Sequence, residues 1–135
     1  FLAQITKSLS LRSSLTYTYG HVKEENVPLD HIPPVYGITS LKLELSKFTT
    51  EFYARYNVWK HIEDYSPGGE DNEAYATADG MPAWYTLNLR AGYQFNQNIS
   101  LQAGFENMLD KHYRNFASGI SAPGRNIYVT LRANL

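Results

Sequence analysis

Four histidines and one acid-rich stretch carry most of the reactive chemistry in this chain. His21, His31, His61 and His112 are its imidazoles. Imidazole ligates transition metals and haem, and it exchanges protons near neutral pH. None of the four stands in a His-x-x-His or carboxylate–histidine spacing that would fix an ion, so they read as loop histidines and no metal site is assigned. Glu63, Asp64, Glu70, Asp71, Asn72, Glu73 and Asp79 surround Pro67-Gly68-Gly69. A calcium loop sets its oxygen ligands in a fixed order about a turn glycine. This stretch lacks that order and reads as a mobile, solvated loop. The sequence shows no Ser-His-Asp arrangement, paired-carboxylate cleft or glycine-rich phosphate loop. Cys is absent, which removes thiolate catalysis and thiolate-held zinc. The chain therefore reads as non-enzymatic, with no cofactor. A net charge of −1 offers no basic field to nucleic acid.

These residues lie in the gaps between six runs of alternation, at 8–19, 36–46, 48–59, 84–95, 99–107 and 125–135. In the fourth, Tyr85, Leu87, Leu89, Ala91, Tyr93 and Phe95 oppose Thr86, Asn88, Arg90 and Gln94. In the last, Ile127, Val129, Leu131, Ala133 and Leu135 oppose Asn126, Tyr128, Thr130, Arg132 and Asn134. A period of two is the signature of a strand with two unlike faces. Residues 1–7 fit either a strand remnant or a turn. The connections alternate as strictly as the residues do. Residues 46–47 and 96–98 make tight turns, whereas 20–35, 61–83 and 108–124 are long and polar. Short turns on one side and long loops on the other make an antiparallel up-and-down meander of the kind that builds a transmembrane β-barrel, with apolar side chains toward lipid. Tyr93 and Phe95 fall at the short-turn end and Trp84 and Tyr85 at the long-loop end, where two aromatic girdles belong. No apolar run reaches the roughly 18 residues of a membrane-spanning helix, which leaves strands untouched. A soluble lipocalin-like ligand-binding barrel shares the alternation but points its apolar face inward. It stands as an alternative.

Four motifs add a resemblance. Asn107-Met108-Leu109-Asp110-Lys111-His112-Tyr113 follows the fifth run and Pro123-Gly124-Arg125 opens the sixth. His31-Ile32-Pro33-Pro34-Val35-Tyr36-Gly37 and Met81-Pro82-Ala83-Trp84-Tyr85-Thr86-Leu87-Asn88-Leu89 open two earlier ones. In this order and spacing the chain resembles the C-terminal part of TonB-dependent outer-membrane receptors. Two positions depart from the usual pattern: Met108-Leu109 replaces a Leu-Phe pair, and Leu135 stands where the family prefers Phe.

The resemblance implies an all-β fold in which residues 1–135 supply about six C-terminal strands of a barrel of about 22. The plug domain, the rest of the barrel and the segment that meets the TonB complex would lie outside this sequence, and no signal peptide is in view. It implies location in the bacterial outer membrane and TonB-energised uptake of a scarce small-molecule nutrient, first an iron-siderophore or other metal chelate. Expected partners are outer-membrane lipid, the plug and remaining barrel, and TonB through the N-terminal part. A passive porin is the competing membrane reading. Inward Arg12, Lys42, Glu44, Glu51, Arg55, Arg90, Glu106 and Arg132 would pair with one another or with the plug. His61, Tyr65, Tyr75, His112 and Phe116 are the loop residues expected to approach cargo, because aromatic faces suit flat chelates and loops carry function. Asn107, Asp110, Tyr113, Pro123, Gly124 and Arg125 are expected to shape the chain instead. Asn and Asp end strands by bonding nearby backbone, and Pro-Gly turns the chain back.

Overall fold

A computed structural model describes residues 1–134. Its strands are β1 Leu2–Gln4, β2 Leu9–Thr16, β3 His21–Val22, β4 Val27–Pro28, β5 Tyr36–Glu44, β6 Phe48–Asn57, β7 Lys60–His61, β8 Gly80–Met81, β9 Trp84–Gln94, β10 Ile99–Glu106 and β11 Asn126–Ala133. Seven of them form one sheet in the order β1-β2-β5-β6-β9-β10-β11, each antiparallel to its neighbour in the chain's own sequence. β3–β4 and β7–β8 are small ribbons within the long loops. The fold is the all-β meander that the alternation implies. The helical content among the described residues is two single turns, Ile62–Asp64 and Glu73–Tyr75. Among the described residues no helix is long and apolar enough to cross a membrane.

β1 adds a strand to the six alternating runs. Three residues are too few to show a period, so its strand character comes from a partner. Leu2 pairs with Arg12 and Gln4 with Ser10. The turn between them closes on Thr6, whose Oγ1 accepts the Leu9 amide at 3.1 Å, while the Ile5 amide donates to the Leu9 carbonyl at 2.8 Å.

Register separates the two faces of the sheet. Leu11, Leu41, Phe52, Leu89, Phe105 and Ile127 stand in one row across six strands. The row beside it reads Ser10, Lys42, Glu51, Arg90, Gly104 and Tyr128. A one-residue slip would exchange these faces, so the pattern itself pins the register. On the polar face Arg90 Nε donates to Glu51 Oε2 at 2.8 Å, and its guanidinium lies over the Tyr53 ring. The Tyr53 hydroxyl in turn donates to Glu106 at 3.3 Å. The Tyr128 ring lies over Gly104, where a Cβ would come within 2.2 Å of it.

Burial runs opposite to that of a soluble sheet. Leu15, Ile127, Val129 and Leu131 are each about two-thirds exposed or more, whereas Thr86, Asn88 and Ser40 on the polar face are buried. An apolar face with no protein against it is what lipid covers. Tyr93 and Phe95 meet edge-on at 5.0 Å on this face. Tyr85 is exposed there too, but Trp84 corrects the girdle expectation. It points to the polar face, is buried, and packs on Tyr113 with ring centroids 4.1 Å apart. Leu135, placed on the apolar face by alternation, lies outside the described residues.

Candidate functional site

The meander delivers three long loops to one end of the sheet, at residues 17–35, 58–83 and 107–125. The turns at the opposite end are short. Loop backbone cannot satisfy itself as a ladder does, so its amides and carbonyls need side-chain partners.

Asn107 supplies them at the root of the third loop. It is buried with φ of 47°, and its amide donates to Asn88 Oδ1 at 2.9 Å. Its side-chain oxygen accepts the Lys111 amide at 2.9 Å, and its Nδ2 donates to the carbonyls of Lys111 and Pro123 at 2.9 and 3.2 Å. Asp110, also left-handed, accepts the Arg125 amide at 2.8 Å. Gly124 passes so close that a Cβ would lie 2.9 Å from Asp110 Oδ1. Both ends of the third loop are therefore tied through Asn107 and Asp110, and Tyr113 presses the loop onto Trp84.

The second loop packs between the other two. Its acid-rich stretch reads as mobile and solvated in the sequence, but it is anchored. Asp71 is buried and accepts the His31 amide at 2.8 Å, and Ser66 donates to Asp30 at 2.9 Å. Toward the third loop, Asn72 donates to the Ala117 carbonyl at 2.7 Å and Arg114 to the Tyr75 carbonyl at 2.9 Å. Where the three loops meet, the buried Lys60 ammonium donates to the Ile32 carbonyl at 2.6 Å and lies 5.4 and 5.0 Å from the rings of Tyr65 and Phe116. Burial pulls the Lys60 pKa below its ordinary value, against the opposing charges of Asp71, Asp64 and Asp30. Burial likewise raises the Tyr65 phenol, helped by Asp71 and Glu73.

A cleft of about 370 Å³ opens between the second and third loops. Its walls include Tyr75, Met81, Trp84, His112, Tyr113 and Arg114. The Arg114 guanidinium lies 5.7 Å from the Tyr75 ring centre, and His112 Nε2 lies 3.0 Å from Ser121 Oγ. Trp84 Nε1 is buried without a hydrogen-bond partner among the described residues. Aromatic walls with a guanidinium and an imidazole suit binding of a flat, polar-edged molecule. Among the described residues no three His, Asp or Glu side chains gather closely enough to hold a bare ion.

The five residues expected to approach cargo separate into three places. Tyr75 and His112 share the cleft. Tyr65 and Phe116 meet at 6.1 Å around Lys60, where Tyr65 is only 8% exposed and belongs to the loop interior. His61 stands apart, stacked on Trp59 at 5.8 Å. Sequence reasoning missed Lys60, Trp84 and Arg114 as loop-site residues. Trp84 lies within one of the quoted motifs and Arg114 directly follows another, so position was a usable signal for them; Lys60 carried none.

The family model for the TonB-dependent receptor-like β-barrel matches residues 3–108. Among solved structures, the copper transporter OprC superposes with a TM-score of 0.83 at 20% identity, covering 98% of this chain and 22% of that one. The ferric enterobactin receptor PfeA of Pseudomonas aeruginosa, as a mutant in complex with enterobactin, gives 0.76 at 21% identity, covering 98% and 21%. The chain thus spans about a fifth of the length of these structures. No curated protein sequence matches it.

Proposed function

This chain belongs to the TonB-dependent receptor-like β-barrel family, and from that premise we propose that it forms late barrel wall and three outer loops of a receptor for nutrient uptake. The family is one of the bacterial outer membrane. Membership leaves no room for a soluble lipocalin-like barrel, and the exposed apolar face agrees with lipid contact. In this reading the polar face looks into the lumen. Arg90 pairs there with Glu51 and Lys42 with Glu44, and the remaining inward charges are free to meet a plug supplied by the rest of the receptor.

The cargo is a metal chelate, with an iron-siderophore as the first candidate. The cleft between the second and third loops carries this proposal. Tyr75, Trp84 and Tyr113 give it apolar walls, while Arg114 and His112 offer positive or hydrogen-bonding groups to an anionic rim. Copper and ferric enterobactin in the names of OprC and PfeA support metal-linked cargo.

Full-length receptor, titrated with a panel of ferric and cupric chelates by intrinsic fluorescence, tests the reading. Tyr75→Ala or His112→Ala weakens binding about tenfold, the scale of one lost aromatic or charged contact at about 1.4 kcal/mol. Unchanged affinity for each chelate that binds would discard the cleft. A steady ion current through the purified full-length protein, with no plug to block it, would favour the passive porin.

A further inference from the structure

The second and third loops sort charge between the two sides of their cluster. The second loop holds the carboxylates Glu63, Asp64, Glu70, Asp71, Glu73 and Asp79, and none of them lines the cleft that it shares with the third. Glu70 and Asp71 meet His31 of the first loop, and Asp64 and Asp71 act on the Lys60 ammonium. The charged side chains that do line the cleft are Lys111 and Arg114, both cationic and both from the third loop, with the His112 imidazole between them in sequence. In a chain of net charge −1 this local excess comes from the fold and not from composition.

Both cations are placed by the fold and left unneutralised. The Lys111 amide donates to Asn107 Oδ1 and its carbonyl accepts from Asn107 Nδ2, each at 2.9 Å, which fixes the backbone that carries the side chain. Arg114 Nη1 donates to the Tyr75 carbonyl at 2.9 Å, leaving further guanidinium donors for a ligand. Neither residue is in an ion pair among the described residues. Asp110, the sequence neighbour of Lys111, is turned to the Arg125 amide.

We propose that this cleft selects its cargo by charge, taking aromatic chelates of net negative charge through Lys111 and Arg114 and rejecting bare cations and cationic complexes. A space of about 370 Å³ is on the scale of an organic ligand and far more than a bare ion fills. Two cations on one wall repel a free metal ion or a positive complex. An anion relieves their mutual repulsion and takes a charge-assisted hydrogen bond from each. Tyr75 and Tyr113 meanwhile offer ring faces to the apolar part of the ligand. Chelates whose phenolate or carboxylate oxygens outweigh the charge of the metal meet both requirements, whereas neutral hydroxamate chelates do not. The inference rests on the uptake reading of this cleft and narrows it to one substrate class, with Lys111 and Arg114 as the residues that set specificity.

Full-length receptor tests it with two matched pairs of ligands. One pair is dihydroxybenzoate and the uncharged dihydroxybenzamide, read by ligand-observed NMR. The other is a trianionic ferric tris-catecholate and a neutral ferric trihydroxamate, read by calorimetry. In each pair the anion binds about a hundredfold more tightly, about tenfold for each charge-assisted hydrogen bond, and the ratio shrinks as salt is added. Lys111→Gln lowers the ratio about tenfold, Lys111→Arg keeps it, and Lys111→Gln with Arg114→Gln abolishes it. Damage to the fold would weaken both members of a pair and leave their ratio unmoved. Equal wild-type affinities within both pairs would overturn the selection, and so would a ratio that survives the double substitution. Chelates that bind without regard to charge leave the cargo reading standing and remove the selection. A preference confined to the metal-free pair keeps the selection and removes the metal chelate as cargo.

Discussion

The sheet and the loop cluster solve the burial problem in opposite ways. In the sheet, polar Ser40, Thr86 and Asn88 are buried, and rows of Leu, Phe, Val and Ile face outward. In the loops, Tyr65 and Met81 are buried together with Lys60, Ser66, Asp71 and Asn107, and these polar groups are held by hydrogen bonds from neighbouring loops and strands. The first region is complete only against a solvent of hydrocarbon, because its apolar side chains touch one another within a single layer and have no second layer of protein to bury them. The second is held by its own contacts, many of them between residues far apart in the chain. A substitution in the wall should therefore be felt through the lipid, and one in the loops through a few named hydrogen bonds.

The largest break in that contrast comes from charging the outward face. Leu89→Arg, near the middle of β9, costs about 2–4 kcal/mol in a lipid-embedded full-length barrel, as expected for a cation at the bilayer midplane. Its neighbour Asn88 looks the other way, so the same residue introduced at the inward position Gln102 costs far less. Reversible denaturant unfolding in vesicles measures both. Equal costs would mean that the two faces do not have different solvents.

A smaller effect follows from removing the tie at the root of the third loop. Asn107→Ala loses the bonds to Lys111 and Pro123 and forces a β-carbon without polar atoms to keep φ of 47°. We expect a loss of about 1–3 kcal/mol, the cost of stranding buried backbone partners. Limited proteolysis shows it as cleavage within residues 107–125 while the wall stays protected. Cooperative loss of the whole barrel would show that wall and loops are not separable.

The smallest expected effect sharpens the description of the loop interior. The Tyr65 pKa is raised, so its contribution is present below the ordinary phenol value of 10.0 and is lost as pH rises through the folded value. The Lys60 pKa is lowered, so its contribution is present above the ordinary value of 10.5 and is lost as pH falls through the depressed one. The two oppose each other in alkaline solution. Loop protection by hydrogen exchange, corrected for intrinsic exchange, then rises with pH more in Tyr65→Phe, which leaves the Lys60 part alone, than in the wild type. A fall in that variant would contradict the burial of Lys60.

Alternation along the chain was enough to read two unlike faces, because side-chain direction in a strand depends only on residue parity. Leu87, Leu89 and Ala91 against Thr86, Asn88 and Arg90 is a local pattern, and so are the tight turns at 46–47 and 96–98. The same parity put Trp84 on the polar face. Its aromatic type suggested a girdle instead, and composition outweighed position in that expectation. The acid-rich stretch shows the opposite limit. Nothing in Glu70-Asp71-Asn72 announces that Asp71 is buried beneath His31, because the partner lies 40 residues upstream in another loop.

The sequence by itself determined the strand class, the two unlike faces of the six alternating runs and the side on which the long loops emerge. These follow from a period of two and from connection length, both of which are local. Only the tertiary structure decided which loop residues meet. It gathered Tyr75 and His112 into one cleft, drew Tyr65 and Phe116 around Lys60, left His61 beside Trp59 and made a strand of Leu2–Gln4. Those outcomes depend on hydrogen bonds and ring contacts between segments tens of residues apart, and such contacts leave no periodic trace in any one of them.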